Sequence, residues 1–204
     1  MAEEPKPRQS ARELMRQGLL AVRKRPEMYI GKHGSLNDLV FEAMCLSLAE
    51  AHCGSCSTIT LRVDGSCFSI EDDGMGVSLV PDKWGRPFAQ RAMTELLVCR
   101  DHDEHLRLKT DLCVMGLAAV NALSNTSSLV TSDGARSYTQ TYTQGMPNED
   151  FKQDQETRPR GTTLTFEADT SFLETSTFDE ASLRKRINDL EVADLSGLTL
   201  NIET

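Results

Sequence analysis

The 204-residue chain has no apolar run approaching the ~18 residues that a membrane-spanning helix needs. Its polar start, Met-Ala-Glu-Glu-Pro-Lys-Pro, lacks the apolar stretch of a secretory leader, so a soluble cytoplasmic protein is expected, with no membrane contact. Internal repeats are also lacking. Excess basic charge is missing too: the formal net charge is −9, which disfavours direct binding of nucleic acid, because neutralising phosphates needs a basic face. The local basic clusters Arg23-Lys24-Arg25, Arg158 with Arg160, and Arg184-Lys185-Arg186 read as solvated helix ends and loops. Six cysteines are scattered and, without an export signal, read as reduced thiols. Cys53-Gly-Ser-Cys56 has metal-ligand spacing, and His102 and His105 could supply two further ligands. No second cysteine pair of matching spacing exists, which leaves zinc as the minor reading. Thioredoxin-like chemistry is disfavoured because the pair precedes a strand rather than opening a helix.

What is present fits one sizeable domain over residues 10–204, preceded by a flexible arm over residues 1–9; 39% of the chain is hydrophobic. Ser10-Ala-Arg-Glu13 predicts a capped helix that Pro26 must end, and Met28–Ile30 reads as a short extended segment. A strong helix is expected from about Leu36 to His52. Leu39, Val40, Ala43, Met44, Ser47, Leu48 and Ala51 recur on one face of it. Hairpins are expected at 58–71, turning at Asp64-Gly65, and at 129–143, turning at Asp133-Gly134. Residues 88–99 and 112–123 read as helices, 146–160 as a polar loop with little reason for order, and 163–167 as a strand. Thr177-Phe-Asp-Glu180 predicts the cap of a last helix, and 198–202 a last strand. The expected class is α/β, an α+β sandwich with the helices on one face of a mixed sheet.

Chemistry concentrates at Ile70-Glu-Asp-Asp-Gly-Met-Gly76. An acidic residue at a strand end, followed by alternate glycines, lets backbone approach a flat ligand while a carboxylate reads its donors. Asp72 is the natural reader, accepting from an exocyclic amine such as that of adenine, with Gly74 and Gly76 opening the space.

Ala21-Val-Arg-Lys-Arg-Pro-Glu-Met-Tyr-Ile-Gly31, then Val40-Phe-Glu42, Asp72–Gly76, Val120-Asn-Ala-Leu-Ser124 and Gly161-Thr162 together resemble the N-terminal ATPase domain of the DNA gyrase B and topoisomerase IV family. That domain is of Bergerat type, in the GHKL superfamily. The resemblance runs over about residues 14–203. It implies a mixed sheet backed by helices, with ATP between them. Glu42 falls on the general base that activates the attacking water, which it must reach within hydrogen-bond distance. Asp72 falls on the adenine-reading carboxylate, Gly76 on the glycine beside the purine, Gly116 on the last glycine of the phosphate-wrapping lid, and Thr162 on a hydroxyl that shares a water with the carboxylate.

The chain departs from that pattern at the phosphate end. Leu46 replaces the family's Mg²⁺-holding asparagine, with Cys45 where the family has aspartate, and leucine cannot ligate a hard cation. Losing ~4 kcal/mol of transition-state stabilisation slows chemistry about a thousandfold. The lid falls on Thr110–Gly116 and keeps only its last glycine, with Asp111 adding negative charge. The family's following domain, whose lysine reaches the γ-phosphate, is not in the 204 residues. An arginine of the family near the adenine pocket falls at Asp133 while its acidic partner remains as Glu50, so two carboxylates would replace an ion pair.

The expected function is a degenerate, standalone ATPase-type domain that holds ATP weakly or not at all, has no Mg²⁺ site, hydrolyses little, and acts through homodimerisation or a topoisomerase subunit. The alternative is an ATP-binding and hydrolysing module of a type II DNA topoisomerase.

Overall fold

A strand whose every second residue is apolar, and a helix apolar nearly all round, explain most of this architecture. The structure, a computed structural model, describes residues 10–83, 85–96, 115–190 and 195–204. The arm expected over residues 1–9 lies outside them.

The first helix, α1, spans Ala11–Lys24, with the Ser10 hydroxyl accepting from the Glu13 N–H at 3.2 Å. The Met28–Ile30 stretch is not extended. Pro26 adopts helical dihedrals and its carbonyl accepts from the N–H groups of Tyr29 and Ile30, giving a single turn, α2, Glu27–Ile30. Proline cannot continue α1, yet its fixed φ starts a new turn without strain.

Next comes α3, Leu36–His52, opened by a reciprocal capping box between Ser35 and Asp38. Its burial exceeds the one face that the periodicity predicts. Phe41, Glu42, Cys45 and Ala49 are buried along with Leu39, Val40, Ala43, Met44, Ser47 and Leu48, which makes α3 the central rod of the core. Ala51 is only half-buried.

The first hairpin is β1, Thr58–Asp64, and β2, Cys67–Asp72. After it come α4, Phe88–Thr94, and α5, Leu117–Ala122. The expected helix of 88–99 ends at Thr94. The charged stretch and most of the lid, residues 97–114, lie outside the described residues. The second hairpin pairs β3, Ser124–Ser132, with β4, Ser137–Thr143. Two short strands follow, β5 at Met146–Pro147 and β6 at Lys152–Gln153, then β7, Gly161–Ala168. Residues 146–160 are therefore not an unordered loop. The Ser132, Ser137 and Gln140 side chains donate to the carbonyls of Arg158, Glu156 and Glu149, a set of local side-chain anchors that hydropathy cannot reveal. The last helix, α6, Glu180–Asn188, is capped by Asp179, which accepts from the Ser182 N–H at 3.1 Å, and not by Thr177; β8 is Thr199–Glu203.

The eight strands form one mixed sheet in the order β5-β4-β3-β7-β2-β1-β8, with β6 also on β4. Among the described strands only β1 and β8 pair in parallel. Alternation sends Ile59, Leu61, Phe68, Ile70, Leu164 and Phe166 to the helix-covered face, where the Phe68 and Phe166 rings stack at 5.2 Å. The other face carries a polar row in register, Thr60, Glu71 and Thr163.

Two basic residues expected in solvated clusters are structural instead. Arg23 donates to the Ala122 carbonyl at 2.7 Å and to Asp169 at 2.6 Å, and its guanidinium lies 4.8 Å from the Phe172 ring centre. Arg186 bonds Asp38 at 2.9 Å and stacks over Phe41 at 3.8 Å. Arg23 thus ties α1 to the end of α5 and the turn after β7. Breaking a largely buried charge pair leaves Asp169 without its counter-ion, so Arg23→Ala should cost about 2–3 kcal/mol in urea unfolding. An unchanged midpoint would show that the clamp carries no stability.

Candidate functional site

The period of two along β2 places Asp72 in the same row as Phe68 and Ile70, so a carboxylate stands where a third apolar residue would face the core. It is 8% exposed, at the floor of a cleft of about 610 Å³ between α3, the loop after β2 and the start of α4. Three donors hold it. Oδ1 accepts from the Gly74 and Thr162 N–H groups, each at 3.0 Å, and Oδ2 accepts from the Ser47 hydroxyl at 2.6 Å. Burial pushes the carboxyl above the usual aspartate range, against those three hydrogen bonds, which favour the charged form.

The glycines of the motif serve the protein's own packing before they serve a ligand. A Cβ on Gly74 would lie 2.2 Å from Glu50 Oε2, and one on Gly76, at φ 78°, would lie 2.7 Å from the Ser132 carbonyl. Gly161 is tighter: its Cβ would meet the Asp72 carbonyl at 1.9 Å. Glu50 braces the same loop by accepting from the Met75 N–H at 2.6 Å. Asp133 instead accepts from the Ala135 and Arg136 N–H groups of its own turn, at 2.8 and 2.7 Å. The two carboxylates expected to replace an ion pair each have a separate backbone role.

The sequence-predicted residues fall into two groups. Asp72, Gly76 and Thr162 line the cleft together, with Gly74 bound to the Asp72 carboxylate. Glu42 and Gly116 form the second group. Glu42 is 1% exposed, and its Oε2 accepts from the N–H groups of Met115 and Gly116 at 3.1 and 2.9 Å, directly before α5. Leu46, one turn after Glu42, presents its side chain to the cleft. An aliphatic side chain offers no oxygen ligand to a hard cation at this position.

Residues that motif reasoning does not single out complete the cleft. Ser47 is legible in the sequence only as a polar residue in an apolar stripe. Arg86 and Arg91 line the wall and are paired with carboxylates: Arg86 with Asp82 at 2.9 Å and with Glu95, Arg91 with Glu95 at 3.1 Å. The i,i+4 spacing of Arg91 and Glu95 is the available signal. Cys53 lies on the cleft rim, while burial pushes the Cys56 thiol up to about 12, leaving it protonated at neutral pH. Among the described residues no three His, Cys, Asp or Glu side chains cluster as a metal site. His102 and His105 lie outside the described residues.

Fold and cleft together define a one-sided α/β domain with a buried carboxylate, Asp72, in a largely apolar cleft. No family model matches the chain. It is 32% identical to the B subunit of DNA gyrase from Mycobacterium leprae over 193 residues, and 36% identical to the novobiocin-sensitive gyrase B subunit of Streptomyces niveus over 194. To the gyrase B subunit of Haloferax volcanii it is 34% identical over 197 residues. Each match takes in 91% of this chain but only 28–30% of the relative, so the chain spans under a third of their length. The chain belongs to the gyrase-B-like domains of the GHKL, topoisomerase type.

Two outcomes test this geometry. Gly161→Ala should destabilise the fold by about 3 kcal/mol or more, because both its φ of 142° and the Asp72 carbonyl oppose a side chain. A normal melting temperature would refute the packing. Asp73, on the opposite face from Asp72, is partly desolvated. Bonds from the Ser57 hydroxyl and the Thr58 and Ser57 N–H groups nevertheless outweigh that and lower its pKa below 3.8. Its contribution is present above pH 3.8 and disappears as pH falls below it. Asp73→Asn should flatten that acid limb of the stability curve, and an identical limb would contradict the assignment.

Proposed function

We propose that this domain keeps the purine-holding half of a GHKL site, has lost metal-assisted phosphoryl transfer, and acts through protein contacts, as a pseudo-ATPase. Hydrolysis by a domain of this type requires a carboxylate that orients water and a cation that neutralises the charge developing on the phosphates. Glu42 stands at the position of the base, but its Oε2 accepts two backbone N–H groups and anchors the start of α5. At the cation's position is Leu46. That pairing, a structurally engaged Glu42 beside an aliphatic Leu46, is the observation that carries the reading. Adenine recognition would fall to Asp72, with Gly76 and Thr162 beside the base and Gly74 holding the carboxylate's orientation.

Partners follow from the resemblance to the gyrase B subunit. A second copy of the chain or a topoisomerase subunit is the expected contact, in the cytoplasm, with no direct grip on nucleic acid given the net charge of −9. No helix among the described residues is long and apolar enough to cross a membrane.

Magnesium-dependent ATP turnover should be at least about a thousandfold below that of an intact ATPase of this type. Glu42→Ala should not lower it further. Turnover at ordinary rates, abolished by Glu42→Ala, would establish the alternative, a hydrolysing module of a type II topoisomerase. Affinity capture from the native cytoplasm should recover topoisomerase subunits or a second copy. Recovery of neither, with a monomer in solution, would remove the interaction role.

A further inference from the structure

Resting on the reading that the purine half survives, we infer that the cleft selects an uncharged purine ligand, a base or nucleoside of the aminopurine type, over a nucleotide. The recognition edge is built and incompletely used. A carboxylate offers about four acceptor positions. Among the described residues Gly74, Thr162 and Ser47 fill three at Asp72, two on Oδ1 and one on Oδ2. The remaining direction, on Oδ2, suits one exocyclic N–H donor. Ser47 fixes which oxygen receives it.

The walls suit an apolar, flat body. Leu46, Met75, Val77, Val80, Pro81 and Phe88 line the cleft, and Met75 and Val80 are 61% and 73% exposed without a ligand. Covering them removes apolar surface from water.

The charges do not suit phosphate. Among the described residues the lining holds three carboxylates, Glu50, Asp72 and Asp82, against two guanidinium groups, Arg86 and Arg91. Both guanidinium groups are already matched to Asp82 and Glu95 at ion-pair distance. An anion entering here meets an excess of negative charge and would have to compete for bound cations. Further along α3, Leu46 offers no route to a bridging cation, and the Met115 and Gly116 N–H groups, candidates for contact with an oxyanion, point to Glu42. Each added phosphate therefore weakens the complex.

Titration calorimetry of the full chain with adenosine, AMP, ADP and ATP, each with and without Mg²⁺, tests this. Affinity should fall along the series, by about tenfold from adenosine to ATP. Mg²⁺ should not restore it beyond neutralising the free nucleotide, and raising the salt should narrow the gap, as screening of like charge requires. ATP binding more tightly than adenosine, most of all with Mg²⁺, would overturn the inference. So would an absence of binding across the whole series, which would leave the low-turnover, partner-binding reading standing. High turnover would instead defeat that reading whatever the order of affinities.

Discussion

The buried carboxylate of Asp72 is the constraint on which the rest of this site depends. A charge at the end of a core strand is tolerable only if donors reach it from several directions. Here they come from three separate elements: Ser47 on α3, Gly74 in the loop after β2, and Thr162 on β7. The register that sets Thr162 opposite Asp72, and the sheet order that puts β7 beside β2, serve the same need. Gly161 must lack a side chain because the Asp72 backbone passes so close to it. One polar group thus ties together a helix, a loop and a strand pair.

The opposite end of α3 shows the reverse arrangement. Glu42 is buried more deeply still, and it meets the backbone of Met115 and Gly116 rather than a cavity. A carboxylate at the start of a helix satisfies N–H groups that no intrahelical carbonyl can reach. Once Leu46 replaces a polar neighbour, this structural use is the natural one. The Glu42 carboxylate thereby links α3 to the start of α5. The block Ala21–Gly31, so telling as a signature, acts similarly: Arg23 is a clamp between layers.

Much of this is legible in the sequence. The helix over 36–52, both hairpins and the strand at 163–167 come directly from periodicity and turn chemistry, while the grouping of Asp72, Gly76 and Thr162 comes from the family resemblance. The misreadings share a cause, since each turns on partners that local pattern does not show. Met28–Ile30 reads as extended only while a proline is taken as a stop and not also as a start. The segment 146–160 reads as unordered because its order rests on Ser, Thr and Gln side chains bonded to backbone or to Asp154, which carry no hydropathy signal. Arg23 and Arg186 read as solvated because their partners, Asp169 and Asp38, are 146 and 148 residues away. The glycines at 74 and 76 are singled out for opening space to a ligand, whereas the close approach visible in the structure is to Glu50 and Ser132. Ser47 escapes notice because only tertiary structure shows which buried oxygen needs its hydroxyl.

On the proposed reading, the site divides into a purine end at Asp72 and a phosphate end at which Glu42 is held by backbone N–H groups. Backbone amide chemical shifts, followed while ATP and Mg²⁺ are added, test that division most directly. Movement is predicted for the Gly74, Gly76 and Thr162 amides, while those of Met115 and Gly116 stay where Glu42 holds them. Large shifts at Met115 and Gly116 would mean that phosphate displaces the Glu42 carboxylate, and would contradict the division.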